Sequence, residues 1–141
     1  MQRVSEASVA VDGEVVGAIG VGVCALVGVT HDDGVEQARK LAAKIAKLRV
    51  FDDDAGVMNR SVLDVGGSVL VVSQFTLYGS AAKGNRPSYI EAARPEHAEP
   101  LVDLVAQELR ELGLTVGTGR FRTEMAVSLV NDGPVTLLLE V

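Results

Sequence analysis

Ala126-Val127-Ser128-Leu129-Val130-Asn131-Asp132-Gly133-Pro134-Val135-Thr136-Leu137-Leu138-Leu139 places a Gly-Pro step directly between two apolar runs. Proline cannot donate to a β-ladder and is confined to edges, bulges and turns, and an X-Pro bond is the one peptide bond that adopts cis at modest cost. The plainest expectation for Asn131-Asp132-Gly133-Pro134 is a hairpin turn, which these four residue types supply by default. Strands over 125–130 and 135–141 then flank it.

Working outward, Thr115 to Gly119 reads as a further strand. Before it, Leu101, Val102, Leu104, Val105, Leu109 and Leu112 recur at helical spacing, with Gly113 as the stop and Pro95 or Pro100 as the first residue. Ser68 to Ser73 reads as a strand that delivers Gln74-Phe75-Thr76-Leu77 at its end, followed by a loop over 79–88. Val35, Ala38, Leu41, Ala42, Ile45 and Leu48 mark an earlier one-faced helix over 33–48, with Thr30, Asp32 or Asp33 available as its cap. Val21 to Val29 is a continuous apolar run that fits a strand buried on both faces. Ser8 to Val11, the turn signal Asp12-Gly13, and Glu14 to Ile19 form a hairpin. The expected fold is therefore α/β (α+β): a compact single domain over 1–141, of packed, mostly antiparallel β-sheets flanked by two main helices.

The chain has 141 residues, of which 48% are hydrophobic, enough for one domain with a proper core. A net charge of −6 argues against a general basic field that coats nucleic acid. Lys83, Arg86, Arg120 and Arg122 nonetheless fall near the polar segments of interest and leave room for a local positive rim. The single cysteine, Cys24, lies in an apolar run; disulfides within the chain are impossible, and a buried inert thiol is expected. The apolar stretch from Val15 to Val29 follows Asp12 and Glu14, is interrupted by glycines, and is too short for a spanning helix. A cytoplasmic protein without membrane contact is expected.

Asp52-Asp53-Asp54 invites a metal reading, but the alternating oxygen ligands and distal glutamate of a calcium loop are missing. A solvated turn is expected there, and no metal or cofactor. The two histidines, His31 and His97, fall at the starts of the helices as exposed polar residues. Neither sits in a motif that would make it a base for Ser73 or Thr76. What remains are positioning groups: Ser73, Gln74, Thr76, backbone amides at a strand end, and the Gly133-Pro134 carbonyls. An unactivated hydroxyl is a poor nucleophile, so a substrate for such a site would bring its own activating group.

At these residues the chain resembles the bacterial-type D-aminoacyl-tRNA deacylases. SQFTL stands intact at Ser73 to Leu77 and NDGPVT at Asn131 to Thr136, with GNRPSY at Gly84 to Tyr89, TGRF at Thr118 to Phe121, and the opening QRVSEASV. The resemblance spans essentially the whole chain in the expected order. Two departures stand out: several residues of the family's first strand are missing before Met1-Gln2-Arg3, which is expected to weaken an edge strand, and Val57 replaces a commonly basic residue before Met58-Asn59.

The resemblance implies an ester hydrolase with catalytic Ser73, Gln74, Phe75 and Thr76 and substrate-binding Met125, Asn131, Gly133 and Pro134. It implies a homodimer in which a cis Gly133-Pro134 enters the partner's pocket and rejects L-aminoacyl groups. The partner molecule would be the 3′ end of aminoacyl-tRNA, with no DNA and no cofactor. Glycyl-tRNA has no side chain to reject and should also enter. A non-catalytic binder of RNA ends or amino-acid derivatives is the alternative; a purely structural dimerisation module leaves the polar strand ends unexplained.

Overall fold

The computed structural model describes residues Met1–Val141. The first strand, β1 (Gln2–Val11), turns at Asp12 and Gly13, both at positive φ, into β2 (Glu14–Ile19). Two consecutive left-handed residues match the twist of a two-residue hairpin, as Asp-Gly predicts. β3 (Gly22–Val27) pairs antiparallel with the start of β1 and parallel with β6 (Ser68–Ser73); β6 pairs parallel with β7 (Thr115–Thr118). Both β3 and β6 are buried runs, as strands covered on two faces must be. The connections between them carry α1 (Val35–Lys47), the small hairpin β4 (Phe51–Asp52) and β5 (Met58–Arg60), a 3-10 turn (Phe75–Tyr78) and α2 (Pro95–Glu111). β8 (Ala126–Thr136) lies antiparallel to β1 on its other side. Mostly antiparallel pairing and two main helices agree with the sequence expectation.

Period-two alternation divides the core. Val23, Ala25, Val27, Val69 and Val71 face the helices and pack with Ala42, Ile45, Val105 and Leu109. Cys24, Leu70 and Val72 face the other way, into a second apolar layer with Val4, Ala7 and Val9. The sheet curls to enclose that layer. Gly17 of β2 lies against the Thr118 backbone carbonyl of β7, and a Cβ there would collide with it. Burial pushes the Cys24 thiol above its ordinary pKa, in keeping with an inert core residue.

Several expectations are corrected. Residues 131–134 are not a hairpin turn, and 135–141 are not a separate strand. β8 runs continuously from Ala126 to Thr136, and residues 137–141 have no regular structure. In register with β1, Val4 faces Asn131 and Gln2 faces Thr136, so Arg3 alone stands opposite residues 132–135. That is a large bulge, which accommodates proline as well as a turn does. β1 is likewise no edge strand, having partners on both sides. At α1 the cap is Gly34, whose amide is bonded by the Gln37 side chain at 2.8 Å. Asp33 instead receives the Thr30 amide at 2.9 Å, closing the turn before the helix. α2 begins at Pro95, with Pro100 inside it. The Asp53 carboxylate accepts the Ala55 and Val57 amides and so organises its own turn.

Candidate active site

The parallel strands β3 and β6 end together at Val27 and Ser73. In α/β sheets the carboxyl ends of parallel strands are where loops diverge and leave a crevice. Here the chain past β6 is tied to β3 by the Gln74 amide, which donates to the Val27 carbonyl at 2.8 Å. It then tightens into the 3-10 turn carrying Phe75 and Thr76. A cavity of about 770 Å³ opens beside this strand end. Ser73, Gln74, Phe75 and Met125 line it, together with Tyr89, Arg94, Phe121 and Arg122.

Local packing explains the placement. Phe75 and Tyr89 are both exposed and meet edge to face, ring centroids 5.2 Å apart at 68°, a favoured aromatic geometry. Gly79 makes that approach possible, since a Cβ there would lie 2.8 Å from Tyr89 Cε1 and 2.9 Å from the Thr76 carbonyl oxygen. Gly119 does the same for Met125, whose Sδ would be 2.7 Å from a Cβ at that position. The Thr76 hydroxyl accepts a hydrogen bond from the Gln74 side-chain amide.

Neither histidine is paired with a site hydroxyl. His31 Nε2 lies 2.6 Å from the Ile90 carbonyl and His97 Nε2 lies 2.6 Å from the Asp33 carbonyl. Both rings therefore donate to backbone and latch loops. The Tyr78 phenol is held above its ordinary pKa by burial first, then by Asp33 and Glu140, so it stays protonated at neutral pH. The site combines amides, hydroxyls and aromatic surface with the charged Arg94, Arg122 and Glu124, and neither a histidine nor a carboxylate is hydrogen-bonded to the Thr76 hydroxyl.

Of the predicted residues, Ser73, Gln74, Phe75 and Met125 line this cavity, whereas Thr76, on the adjoining 3-10 turn, and the residues of the Gly-Pro segment do not. Asn131, Gly133 and Pro134 lie on the β8 bulge and do not line it. The Gly133-Pro134 bond is cis, and both residues are exposed. Asn131 spans the bulge, accepting from the Val135 amide at 2.7 Å and donating to Thr136 Oγ1 at 2.8 Å. Arg3 Nε donates to the Asp132 carbonyl at 2.8 Å, and its Nη1 donates to the Val50 carbonyl at 2.7 Å. Sequence reasoning did not single out Arg3, Gly79, Tyr89, Gly119 or Phe121 as site residues. The motifs GNRPSY and TGRF contained Tyr89, Gly119 and Phe121, and the opening QRVSEASV contained Arg3; Gly79 and Gly119 carried a signal only in the form of the neighbours they admit.

The family model for D-Tyr-tRNA(Tyr) deacylase matches residues 1–140. A D-aminoacyl-tRNA deacylase of Halalkalibacterium halodurans is 58% identical over 140 residues, covering 99% of this chain and 96% of the relative. One of Thermomicrobium roseum is 62% identical, covering 99% and 91%. Among solved structures, a c-Myc DNA unwinding element binding protein superposes with a TM-score of 0.92 at 40% identity, over 99% of this chain and 95% of that one. A probable eukaryotic D-amino acid tRNA deacylase, at 16% identity and TM-score 0.80 over 94% and 92%, shares the fold. With a match along its whole length and relatives this close, the chain belongs to the D-Tyr-tRNA(Tyr) deacylase family, that of the D-aminoacyl-tRNA deacylases.

Proposed function

We propose that this enzyme cleaves the ester joining a D-amino acid to the terminal ribose of tRNA, releasing the free D-amino acid and tRNA. Water, assisted by the neighbouring 2′-hydroxyl of the RNA, adds to the carbonyl carbon and gives up a proton; the bond to the ribose oxygen breaks, and that oxygen takes up a proton, leaving the free D-amino acid and tRNA. Backbone amides of Phe75 and Thr76 position the ester, with Ser73 and Gln74 beside them. The observation that supports this most is the Thr76 hydroxyl, which is held by the Gln74 amide and hydrogen-bonded to no histidine or carboxylate. Such a site suits a substrate that carries its own activating hydroxyl.

Selection for D rests on a second copy of the chain. Gly133 and Pro134 are exposed and lie outside their own chain's cavity, as expected of a segment that acts in a partner. In the dimer their carbonyls would form a wall where an L side chain would have to go. Met125 would floor the pocket and Asn131 would hold the wall. Glycyl esters would pass the same filter. One domain over 1–141, working as a homodimer in the cytoplasm without cofactor or DNA, completes this reading; no helix of the chain is long and apolar enough to cross a membrane.

The test is release of amino acid from D-tyrosyl-, L-tyrosyl- and glycyl-tRNA. Cleavage of the D and glycyl esters with the L ester spared is expected, and equal rates on D and L would overturn the filter. Thr76→Ala should retain turnover; trapping of an acyl-Thr76 would establish a covalent route instead.

A further inference from the structure

The segment Gln74–Ile90 contains two cations, Lys83 and Arg86, and no acidic residue, in a chain whose net charge is −6. Its middle is a closed loop. Ser80 and Ser88 exchange amide-to-carbonyl hydrogen bonds, both at 2.8 Å, and residues 81–87, beyond that bridge, are all exposed. Gly84, at φ +128°, permits the bend at the tip.

Both ends of the loop are rooted in the cavity wall. The 3-10 turn bearing Phe75 and Thr76 precedes it, and Tyr89, packed on Phe75, follows it. Beyond Tyr89 the chain is pinned by Thr30 Oγ1 donating to the Glu91 carbonyl at 2.6 Å, by His31 at Ile90, and by the Ala93 amide donating to the Val29 carbonyl at 2.8 Å.

Most cations of this protein are satisfied internally. Arg3, Arg39, Lys40, Arg60 and Arg122 form ion pairs, while Arg49 and Arg110 hydrogen-bond to Asn59 and the Val116 carbonyl. Of those whose side chains bond nothing in the chain, Lys44 and Lys47 lie on α1. The others, Lys83, Arg86, Arg94 and Arg120, all belong to segments that line or overhang the strand-end crevice. Unpartnered positive charge is thus concentrated at one mouth of an acidic body. At long range that body repels a polyanion, so these cations act by short contacts.

We infer that the loop 81–87 is a finger whose Lys83 and Arg86 grip backbone phosphates of the single-stranded 3′ end of tRNA while its terminal ester occupies the adjacent cavity. This rests on the deacylase reading above, and deepens it by naming the surface that takes the RNA strand. Arginine suits bidentate contact with a phosphate, and lysine a mobile point contact.

The experiment compares D-tyrosyl-tRNA with D-tyrosyl-adenosine, which carries the same ester and no phosphate, over a series of salt concentrations. In the full-length protein, Lys83→Ala with Arg86→Ala should lower kcat/KM on the tRNA by about ten-fold at low salt. It should also flatten the log–log salt slope by about 1.4, at roughly 0.7 per single-strand phosphate contact. On D-tyrosyl-adenosine the loss should stay under about two-fold, because no phosphate is involved. Lys83→Arg with Arg86→Lys should restore the tRNA activity. Lys44→Ala with Lys47→Ala makes the same change in net charge on α1, and should affect neither substrate. Equal losses on both esters, an unchanged salt slope, or an equal loss in the α1 variant would overturn the finger. No turnover of D-tyrosyl-tRNA by the unmodified enzyme would overturn the deacylase reading and the finger with it.

Discussion

Asn131 is hydrogen-bonded to Val135 across its own bulge, the side-chain Oδ1 accepting from the Val135 amide at 2.7 Å. Val135 is buried at the end of the bulge, so that amide has little recourse to water. Asn131→Ala leaves it unpaired, at a cost of about 1–3 kcal/mol, whereas Asn131→Asp keeps the acceptor and loses only the bond to Thr136, about 0.5–1.5 kcal/mol. Urea denaturation should therefore rank the variants with Ala well below Asp. Equal stability of the two would show that the amide finds another partner. If the bulge carries the chiral filter, Asn131→Ala should also raise the rate on the L ester relative to the D ester.

Arg3 holds the same bulge from the neighbouring strand. Its side chain is 11% exposed, binds the Asp132 and Val50 carbonyls, and lies 3.7 Å from Asp52. Charged donors contribute about 1.5–3 kcal/mol per bond, so Arg3→Ala should cost on the order of 3 kcal/mol. Arg3→Lys keeps the charge, yet its single ammonium cannot reproduce the fork that reaches both carbonyls. It should recover less than half of the loss. Faster hydrogen exchange at the Val135 amide in both variants would locate the damage in the bulge, and unchanged exchange there would show that Arg3 serves only Val50 and Asp52.

What could be read from sequence divides along the range of the forces involved. The β1–β2 hairpin was legible because Asp12-Gly13 encodes its own turn, and the two helices because their apolar stripes repeat locally. The β8 bulge was not. Asn, Asp, Gly and Pro serve a turn and a bulge equally well, and the choice is made by β1, more than a hundred residues away, through Arg3 and the register at Val4 and Gln2. None of the three offered caps, Thr30, Asp32 and Asp33, serves the first helix, for a related reason: the Asp33 carboxylate satisfies Thr30 just upstream, and Gln37 reaches back to the Gly34 cap instead. In the candidate site, Ser73, Gln74 and Thr76 were legible as polar residues at a strand end. Tyr89 and Phe121 reach the cavity through loops whose course depends on close approaches at Gly79 and other backbone contacts.

The β4–β5 hairpin should be acid-sensitive through Asp53. The Val57 amide, then those of Ala55 and the Asn59 side chain, with the Arg60 charge nearby, hold its carboxyl below the usual pKa. A carboxylate with a depressed folded pKa stabilises the fold above its unfolded pKa of about 3.9, and that contribution is lost as pH falls through the folded value. Asp53→Asn should therefore be less stable than the parent at neutral pH, with the difference shrinking below about pH 4. Residual acid dependence will persist in the variant, because Asp64 is lowered in the same way by Ser61. Denaturant midpoints measured through this range check it; a constant difference between the two proteins would exclude the carboxylate charge as the cause.

Gly79→Ala should damage the site while sparing the rest of the fold. Gly79 has φ −69° and ψ 138°, which alanine adopts freely, so any effect is steric. The added methyl would lie 2.9 Å from the Thr76 carbonyl oxygen and 2.8 Å from Tyr89 Cε1. The ring can swing away only by giving up its edge contact with Phe75, and the carbonyl can retreat only by twisting the 3-10 turn that presents the Phe75 and Thr76 amides. Overpacking of this kind costs about 1–3 kcal/mol, here expressed on exposed elements at the cavity mouth. If the Phe75 and Thr76 amides position the ester as proposed, the expected result is a small loss of global stability with a large fall in kcat on the D ester. A fall in kcat/KM with kcat preserved would place the damage in Tyr89 and binding instead, and full activity would show that the turn absorbs the methyl without moving its amides.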